Sequence, residues 1–290
     1  MRRRRHHGIL IGLASCLVGP IAAQTWRLDT TFRTVIVDRS VNDILQLEDG
    51  TLIASGQMRF PDEPIPTLFH LGVRLNPDGS RNMDFVDYPA MGVRMKRWND
   101  RFYVANGIGV RRCFLDGSVD NGFSMVNTAY LSPLQGADYH VYPDGRVLMS
   151  GAHQLSDTVR GFTGIHNLVW LTSTGHLDTT RTHRKANGTL RRFVQLPDSG
   201  FVVCGYGTVY DGHSVDKLIR VAADGTLDTT FRGHLTWGDA FDYVALPDGR
   251  VYMGGAHDPQ RPTCGYGTSG PDPSQWGPGP HVQQLPGVLA

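Results

Sequence analysis

The chain repeats itself, and this constrains its fold more than any other feature. The stretch Leu196-Pro197-Asp198-Ser199-Gly200-Phe201-Val202-Val203-Cys204-Gly205 recurs as Leu47 to Gly56, Trp98 to Gly107, Tyr142 to Gly151 and Leu246 to Gly255. In every copy a glycine follows the turn aspartate by seven residues: Asp49/Gly56, Asp100/Gly107, Asp144/Gly151, Asp198/Gly205 and Asp248/Gly255. Successive turn aspartates are 51, 44, 54 and 50 residues apart. Between these copies lies a second motif, Asp224-Gly225-Thr226-Leu227-Asp228-Thr229-Thr230-Phe231, with relatives at Asp78 to Phe85, Asp116 to Phe123 and Thr174 to Arg181. A half copy, Leu28-Asp29-Thr30-Thr31-Phe32, precedes the first repeat. Units of this length cannot bury an apolar face alone, so they stack on their neighbours.

Each unit parses as four strands. Strand A is an apolar run such as Tyr243-Val244-Ala245-Leu246, and Pro247-Asp248-Gly249 turns it into strand B, Arg250 to Gly254. Asp-Gly suits such a turn because it supplies the positive-φ residues that match strand twist. Strand C, Leu218 to Val221, passes through Asp224-Gly225 into strand D, Leu227 to Phe231. The fold class is therefore all-β, and four antiparallel strands in about 50 residues make one propeller blade. The expected architecture is a β-propeller of about five four-stranded blades over residues 24–257, with blade hairpins near 43–56, 94–107, 138–151, 192–205 and 242–255.

The Pro-Asp-Gly hairpin paired with Asp-Gly-Ser/Thr-Leu-Asp-Thr-Thr-Phe resembles the delta-60 repeat of secreted and surface bacterial proteins, over roughly Trp26 to Ala256. Three places depart from the pattern: Asn99-Asp100-Arg101 lacks the turn glycine, Arg81-Asn82-Met83-Asp84 blurs the Leu-Asp-Thr-Thr core, and Arg181 replaces phenylalanine. The resemblance implies propeller architecture and export. It carries no catalytic motif.

Residues 1–23 read as a signal peptide: four arginines, an apolar run from Gly8 to Leu17, a Gly19-Pro20 break and Ile21-Ala22-Ala23 before Gln24. The run is too short for a bilayer span, so no membrane span is expected, and the localisation read from it is secreted or cell-surface. Leu13-Ala14-Ser15-Cys16 is a weaker, lipobox-like alternative in which Cys16 would be lipidated. Without the leader, 24 basic residues face 27 acidic ones, a net charge of −3. A mildly acidic chain without a basic stripe does not suit nucleic acid. Cys113, Cys204 and Cys264 form no disulfide framework, and no His/Cys cluster has metal-ligand spacing. No metal or cofactor is expected.

In a meander, the variable B–C and D–A connections share one face of the disc, and a ligand site belongs there. Six residues before each turn aspartate stand Asp43, Arg94, Asp138, Arg192 and Asp242, alternating in sign near the entry of the innermost strand. They read as inter-blade ion pairs or as a ligand-binding polar ring at the channel mouth. His153 and His257, at equivalent strand B positions, read as surface or inter-blade residues. The aromatic residues Phe60, Tyr130, Tyr210 and Trp237 are candidates for stacking on sugars. Asp228 and its equivalents fit local turn closure. No nucleophile elbow or phosphate loop is present. The expected function is an exported binding or adhesion module for a glycan or protein ligand, the alternative a propeller hydrolase or lyase using channel-mouth aspartates on a carbohydrate or lactone.

Residues 258–290 are rich in Pro and Gly and read as an unstructured tail without a strand C, leaving a five-blade ring imperfectly closed or an open arc. The orphan strand D at Leu28 to Phe32 is placed to complete the last blade.

Overall fold

The computed structural model describes residues 27–34, 36–61, 69–87, 91, 94–105, 109–124, 131–233, 235, 238–257 and 282–284. The repeats form five antiparallel sheets whose main strands follow meander order. Sheet 1 holds Asp38–Gln46, Leu52–Arg59, His70–Leu75 and Arg81–Asn82. Sheet 2 holds Met95–Trp98, Arg101–Ala105 and Val110–Phe114. Sheet 3 holds Leu131–Val141, Val147–Asp157 and Phe162–Leu171. Sheet 4 holds Leu190–Gln195, Phe201–Gly205 and Leu218–Val221, with a small hairpin, Val209–Tyr210 and His213–Ser214, in its B–C connection. Sheet 5 holds Gly238–Ala245, Val251–His257 and Val282–Gln284. Among the described residues there is no helix, and hence none long and apolar enough to cross a membrane.

The A–B turns form as the motif requires. Gly50, Gly145 and Gly249 take φ values of 81°, 83° and 82°. Where glycine is missing, Asn99 (φ 53°) and Ser199 (φ 68°) adopt the left-handed conformation instead, and asparagine tolerates it best of the two. The motif's last glycine has a separate cause. A Cβ on Gly56 would lie 2.1 Å from the Ser40 carbonyl oxygen, and one on Gly205 would lie 2.8 Å from that of Thr189. Strand A crosses strand B there too closely for any side chain.

Among the described residues only sheet 1 has a fourth hydrogen-bonded strand. In sheets 2, 3 and 4 strand D shrinks to single bridges, Cys113 to Val119, Leu171 to Leu177 and Val221 to Leu227. The cause lies in the motif itself. Asp228 Oδ1 accepts from the backbone N of Thr230 at 2.9 Å and from its hydroxyl at 2.6 Å, and Asp178 holds Thr180 in the same way. These Asx turns bend the chain out of the ladder one residue after the bridge.

At the C-terminus the structure departs from the expected strand-free tail. Val282–Gln284 pairs antiparallel with Tyr252, Met253 and Gly254, giving sheet 5 a strand C. Val-Gln-Gln is a proline-free island between Pro280 and Pro286, so all its backbone donors are available to the open edge of Val251–His257. The rest of 258–290 lies outside the described residues, as do residues 1–26.

The core is a series of slabs between consecutive sheets. Between sheets 1 and 2, Leu47 and Ile53 meet Met95, Phe102 and Val104. Between 2 and 3, Tyr103 and Val110 meet Tyr139, Val147 and Met149. Leu148 and Trp170 meet Phe193, Phe201 and Val203 at the next seam, and Val202 and Cys204 meet Tyr243, Val251 and Met253 at the last. Burial of each such side chain is worth roughly 1.5–3 kcal/mol. Among the described residues, Phe32 and Ile36 pack on the outer face of sheet 1. Ile44, equivalent to buried Met95, Tyr139, Phe193 and Tyr243, is 57% exposed.

Backbone docking ties the strands D of sheets 1 and 2 to the next sheet. Val86 N donates to Asp116 O at 2.7 Å, and Ser124 N donates to Thr174 O at 2.9 Å. Arg33 N donates to Asp78 O at 2.8 Å in the same manner. The half copy at Leu28 to Phe32 therefore sits on sheet 1 as the strand D of a preceding sheet.

Three histidines are enclosed as neutral rings. His153 Nδ1, His140 Nε2 and His183 Nε2 find no hydrogen-bond partner among the described residues. Burial lowers each to about 4, with Lys96 adding to the effect at His140 and His166 at His183. The unfolded chain takes up protons near pH 6.5 that the folded chain refuses until about pH 4, so stability is full above this window and declines as pH falls through it. Urea midpoints should thus drop steadily from pH 7 to pH 4, and the drop should shrink in His153→Gln. A midpoint constant across that range would contradict the enclosure.

Candidate axial charge site

The expected entry position holds only for Arg94: Asp43, Asp138, Arg192 and Asp242 lie within their innermost strands, beside irregularities that re-aim the chain. Register shifts fall at Val41/Asp43, Gly136/Tyr139, Leu190/Phe193 and Ala240/Asp242, so Asp43, Asp138, Arg192 and Asp242 each occupy or adjoin a bulge. A bulge bends the strand and turns a side chain away from its regular face. Arg94 stands just ahead of Met95–Trp98.

Four of the five are brought together as ion pairs. Arg94 Nη2 donates to Asp242 Oδ1 at 2.5 Å, and its Nη1 lies 3.4 Å from Asp138 Oδ2. Arg192 Nη1 lies 3.8 Å from Asp138 Oδ1. Asp43 joins differently, by accepting the backbone N–H of Met95 at 2.6 Å. Asp138 likewise accepts from Phe193 N at 3.4 Å and from Tyr139 N at 3.0 Å. Each of these two aspartates thus fastens its own sheet to a backbone donor of the next innermost strand. The sequence revealed the charges but not these backbone bonds, which involve no particular residue type at positions 95 and 193.

Burial grades the site from inside to outside. The Asp138 side chain is 2% exposed and that of Asp242 is 72% exposed. Burial works to lower Arg94, but the carboxylates of Asp138, Asp242 and Asp43 outweigh it and raise the guanidinium above its ordinary range. Arg192 is lowered, first by burial and then by the nearby charge of Arg94. For Asp242 burial acts upward, yet the hydrogen bond and charge of Arg94 hold the carboxyl below its usual value. The aspartates whose titration is shifted all move downward, which keeps them ionised at neutral pH.

A second buried network was not anticipated. Arg112 Nε donates to Asp120 Oδ2 at 2.6 Å and Arg101 Nε to the same oxygen at 2.8 Å, with the Arg112 guanidinium over Trp98 and Phe123. Asp120 is the second-motif aspartate of its repeat, so only its arginine partners were hidden from the sequence.

Other expected site residues serve packing. His153 is fully buried, not at the surface; its Nε2 lies 3.1 Å from Ser150 O. The His257 side chain lies outside the description. Phe60 is buried beneath the Arg81 guanidinium and beside His70. Tyr210 is buried with its hydroxyl donating to Gly225 O at 2.6 Å. Neither ring is free to stack on a sugar, because the B–C connections fold inward upon their own sheets. Tyr130 and Trp237 lie outside the described residues. Cys113 and Cys204 are buried, and burial pushes the Cys113 thiol up to about 12. Among the described residues no three His, Cys, Asp or Glu side chains are placed to hold a metal ion.

The graded burial yields a comparison. Asp138→Ala removes the buried carboxylate that two half-buried guanidiniums share and should cost about 3–5 kcal/mol. Asp242→Ala removes an exposed partner and should cost about 1 kcal/mol or less. Urea denaturation of the two variants checks this order; equal losses would show that the ring is not graded.

Comparison with known proteins adds fold information over a short stretch. No curated protein matches the sequence. Two solved structures are similar at low identity. One is a protein of unknown function from Bacteroides caccae, 12% identical with a TM-score of 0.35, covering 63% of this chain and 60% of that one. The other is the extracellular domain of the BT4673 one-component system from B. thetaiotaomicron, 13% identical with a TM-score of 0.34, covering 78% of this chain and 39% of that one. The chain thus spans less than two thirds of either protein. Residues 197–231, from the A–B turn of sheet 4 to the end of its second motif, match the family described as a domain of unknown function (DUF5122), a β-propeller.

Proposed function

We propose that this chain is an exported, non-enzymatic binding module on a five-blade propeller, delivered by the signal peptide at 1–23 and taking an extracellular glycan or protein on the face that carries the B–C and D–A connections. Curling of the arc supports the ring. Arg94 of sheet 2 and Asp242 of sheet 5 are three seams apart along the chain, yet they form a hydrogen bond. The half copy docked through Arg33 supplies a strand D, and sheet 5, built of three strands, has room for one. A blade shared by both ends of the chain would close the ring.

The observation that carries the functional reading is the electrostatic state of the axial site. Asp138, Asp242, Arg94 and Arg192 form a paired cluster, with Asp242 and Arg192 at its exposed end. Fixed, ionised groups are suited to recognising polar ligands. Proton transfer to a glycosidic oxygen calls for a carboxyl group raised toward neutrality. Asp242 is lowered instead, which weighs against the hydrolase or lyase alternative.

The test is a glycan and matrix-protein array probed with the purified mature chain, alongside reducing-end assays on the same polysaccharides. Binding without release of reducing ends is expected. Cleavage abolished by Asp138→Asn or Asp242→Asn would overturn the reading in favour of an enzyme.

A further inference from the structure

Sheet 4 differs from its sister sheets at one place on the variable face. A cavity of about 430 Å³ opens there, walled by His213, Ser214 and Asp216 of the B–C connection, floored by Leu218 and Leu227, and bounded by Phe231. This volume is on the scale of small-ligand sites, about 300–1,000 Å³.

Ladder register sets the residues around the cavity against those of the sister sheets. Leu75, Leu171 and Val221 are equivalent, each paired with the first strand B residue of its sheet: Leu52, Val147 and Phe201. Counting from them, Asp216 matches His70 and His166, while Gly233 matches Asp87 and His183. In sheet 1 these positions are joined by His70 Nδ1 and Asp87 Oδ2 at 2.9 Å, with Phe60 packed on the imidazole. Sheet 3 fills them with His166, His183 and Phe162, the last two rings 4.9 Å apart. In sheet 4 the inner position is Gly233, which packs so closely on Leu218 that a Cβ would lie 2.4 Å from its carbonyl oxygen, and it offers Asp216 no side-chain partner. Asp216 then stands exposed, and the side chains of His213, Ser214 and Asp216 make no hydrogen bond or ion pair among the described residues.

The wall is braced. Asp211 at the hairpin tip accepts from Lys185 N at 2.9 Å and lies 3.2 Å from Arg184, and Tyr210 anchors the hairpin base on Gly225. A prebuilt wall lowers the ordering cost of binding.

From this cavity we propose a binding site for a neutral sugar residue in sheet 4, lined by His213, Ser214, Asp216, Leu218, Leu227 and Phe231. The inference rests on the binding-module reading and names its ligand class. The apolar floor and the Phe231 ring accept the C–H face of a pyranose. The free Asp216 carboxylate accepts two neighbouring sugar hydroxyls, and Ser214 and His213 offer further donors and acceptors.

The test is saturation-transfer NMR and calorimetry on the mature chain with the methyl glycosides of glucose, galactose, mannose and N-acetylglucosamine, and with lysine amide as a cationic probe. At least one glycoside should bind. Asp216→Ala should weaken it about tenfold or more, as expected for loss of a charge-assisted hydrogen bond. Asp216→Asn, which keeps shape and an acceptor, should weaken it less, and Asp248→Ala, in the exposed A–B turn of sheet 5, should leave it unchanged. Glycoside binding lost in Asp242→Ala but kept in Asp216→Ala would overturn this site while leaving the binding-module reading intact. Binding of lysine amide alone would overturn the sugar assignment. If no glycoside binds, the inference fails whatever the array shows, and the array result decides the broader reading separately.

Discussion

The structure depends on the seam between consecutive sheets. At each of four seams one aromatic or aliphatic residue of the innermost strand (Met95, Tyr139, Phe193 or Tyr243) packs into the slab shared with the preceding sheet. The residue just before it is the ring charge, and the bulge beside that charge turns the polar group to the axis while the apolar group enters the slab. Apolar burial and axial polarity are thus two outcomes of one local irregularity. A sheet with two covered faces also explains why consecutive strand B residues such as Phe201, Val202, Val203 and Cys204 are all buried. One face serves the seam behind and the other the seam ahead.

Charge at the axis follows from the same geometry. Innermost strands approach one another there, and Asp43 and Asp138 accept from the backbone N–H groups of Met95 and Phe193. A carboxylate placed so deeply requires a cation, and Arg94 reaches both Asp138 and Asp242. With an odd number of sheets the alternation cannot close perfectly, and two aspartates, Asp242 and Asp43, would be ring neighbours. Asp242 avoids that clash by turning to Arg94. The outcome is a cluster of paired charges, while the outer B–C connections differ from sheet to sheet.

Much of this was legible in the sequence because repetition exposes backbone requirements. The turn aspartates, Gly50, Gly145 and Gly249, the Asx role of Asp228 and the alternating charges each recur at fixed offsets. What the sequence concealed depends on neighbours outside the motif. His153, Phe60 and Tyr210 look like surface candidates by position, yet they are buried because long connections fold back on their sheets. Strand D appeared as a full strand, but its own Asp-x-Thr turn cuts it short. The short segment Val282–Gln284 was masked by the proline and glycine around it. The sheet 4 cavity was not visible in the sequence, since loop lengths differ between repeats.

The central claim is that all the sheets share one kind of seam, and the seam between sheet 5 and sheet 1 tests it most directly. Ile44 and Tyr252 are the residues that such a seam would bring together, by equivalence with Tyr243 and Val202. Ile44→Cys combined with Tyr252→Cys, in a chain carrying Cys264→Ser, can be treated with a short bis-maleimide while Cys113 and Cys204 stay buried and unreactive. The account predicts an intramolecular cross-link between positions 44 and 252 in the monomer, found by peptide mass mapping. Monomers with both thiols labelled but never bridged would contradict it and leave the chain an open arc.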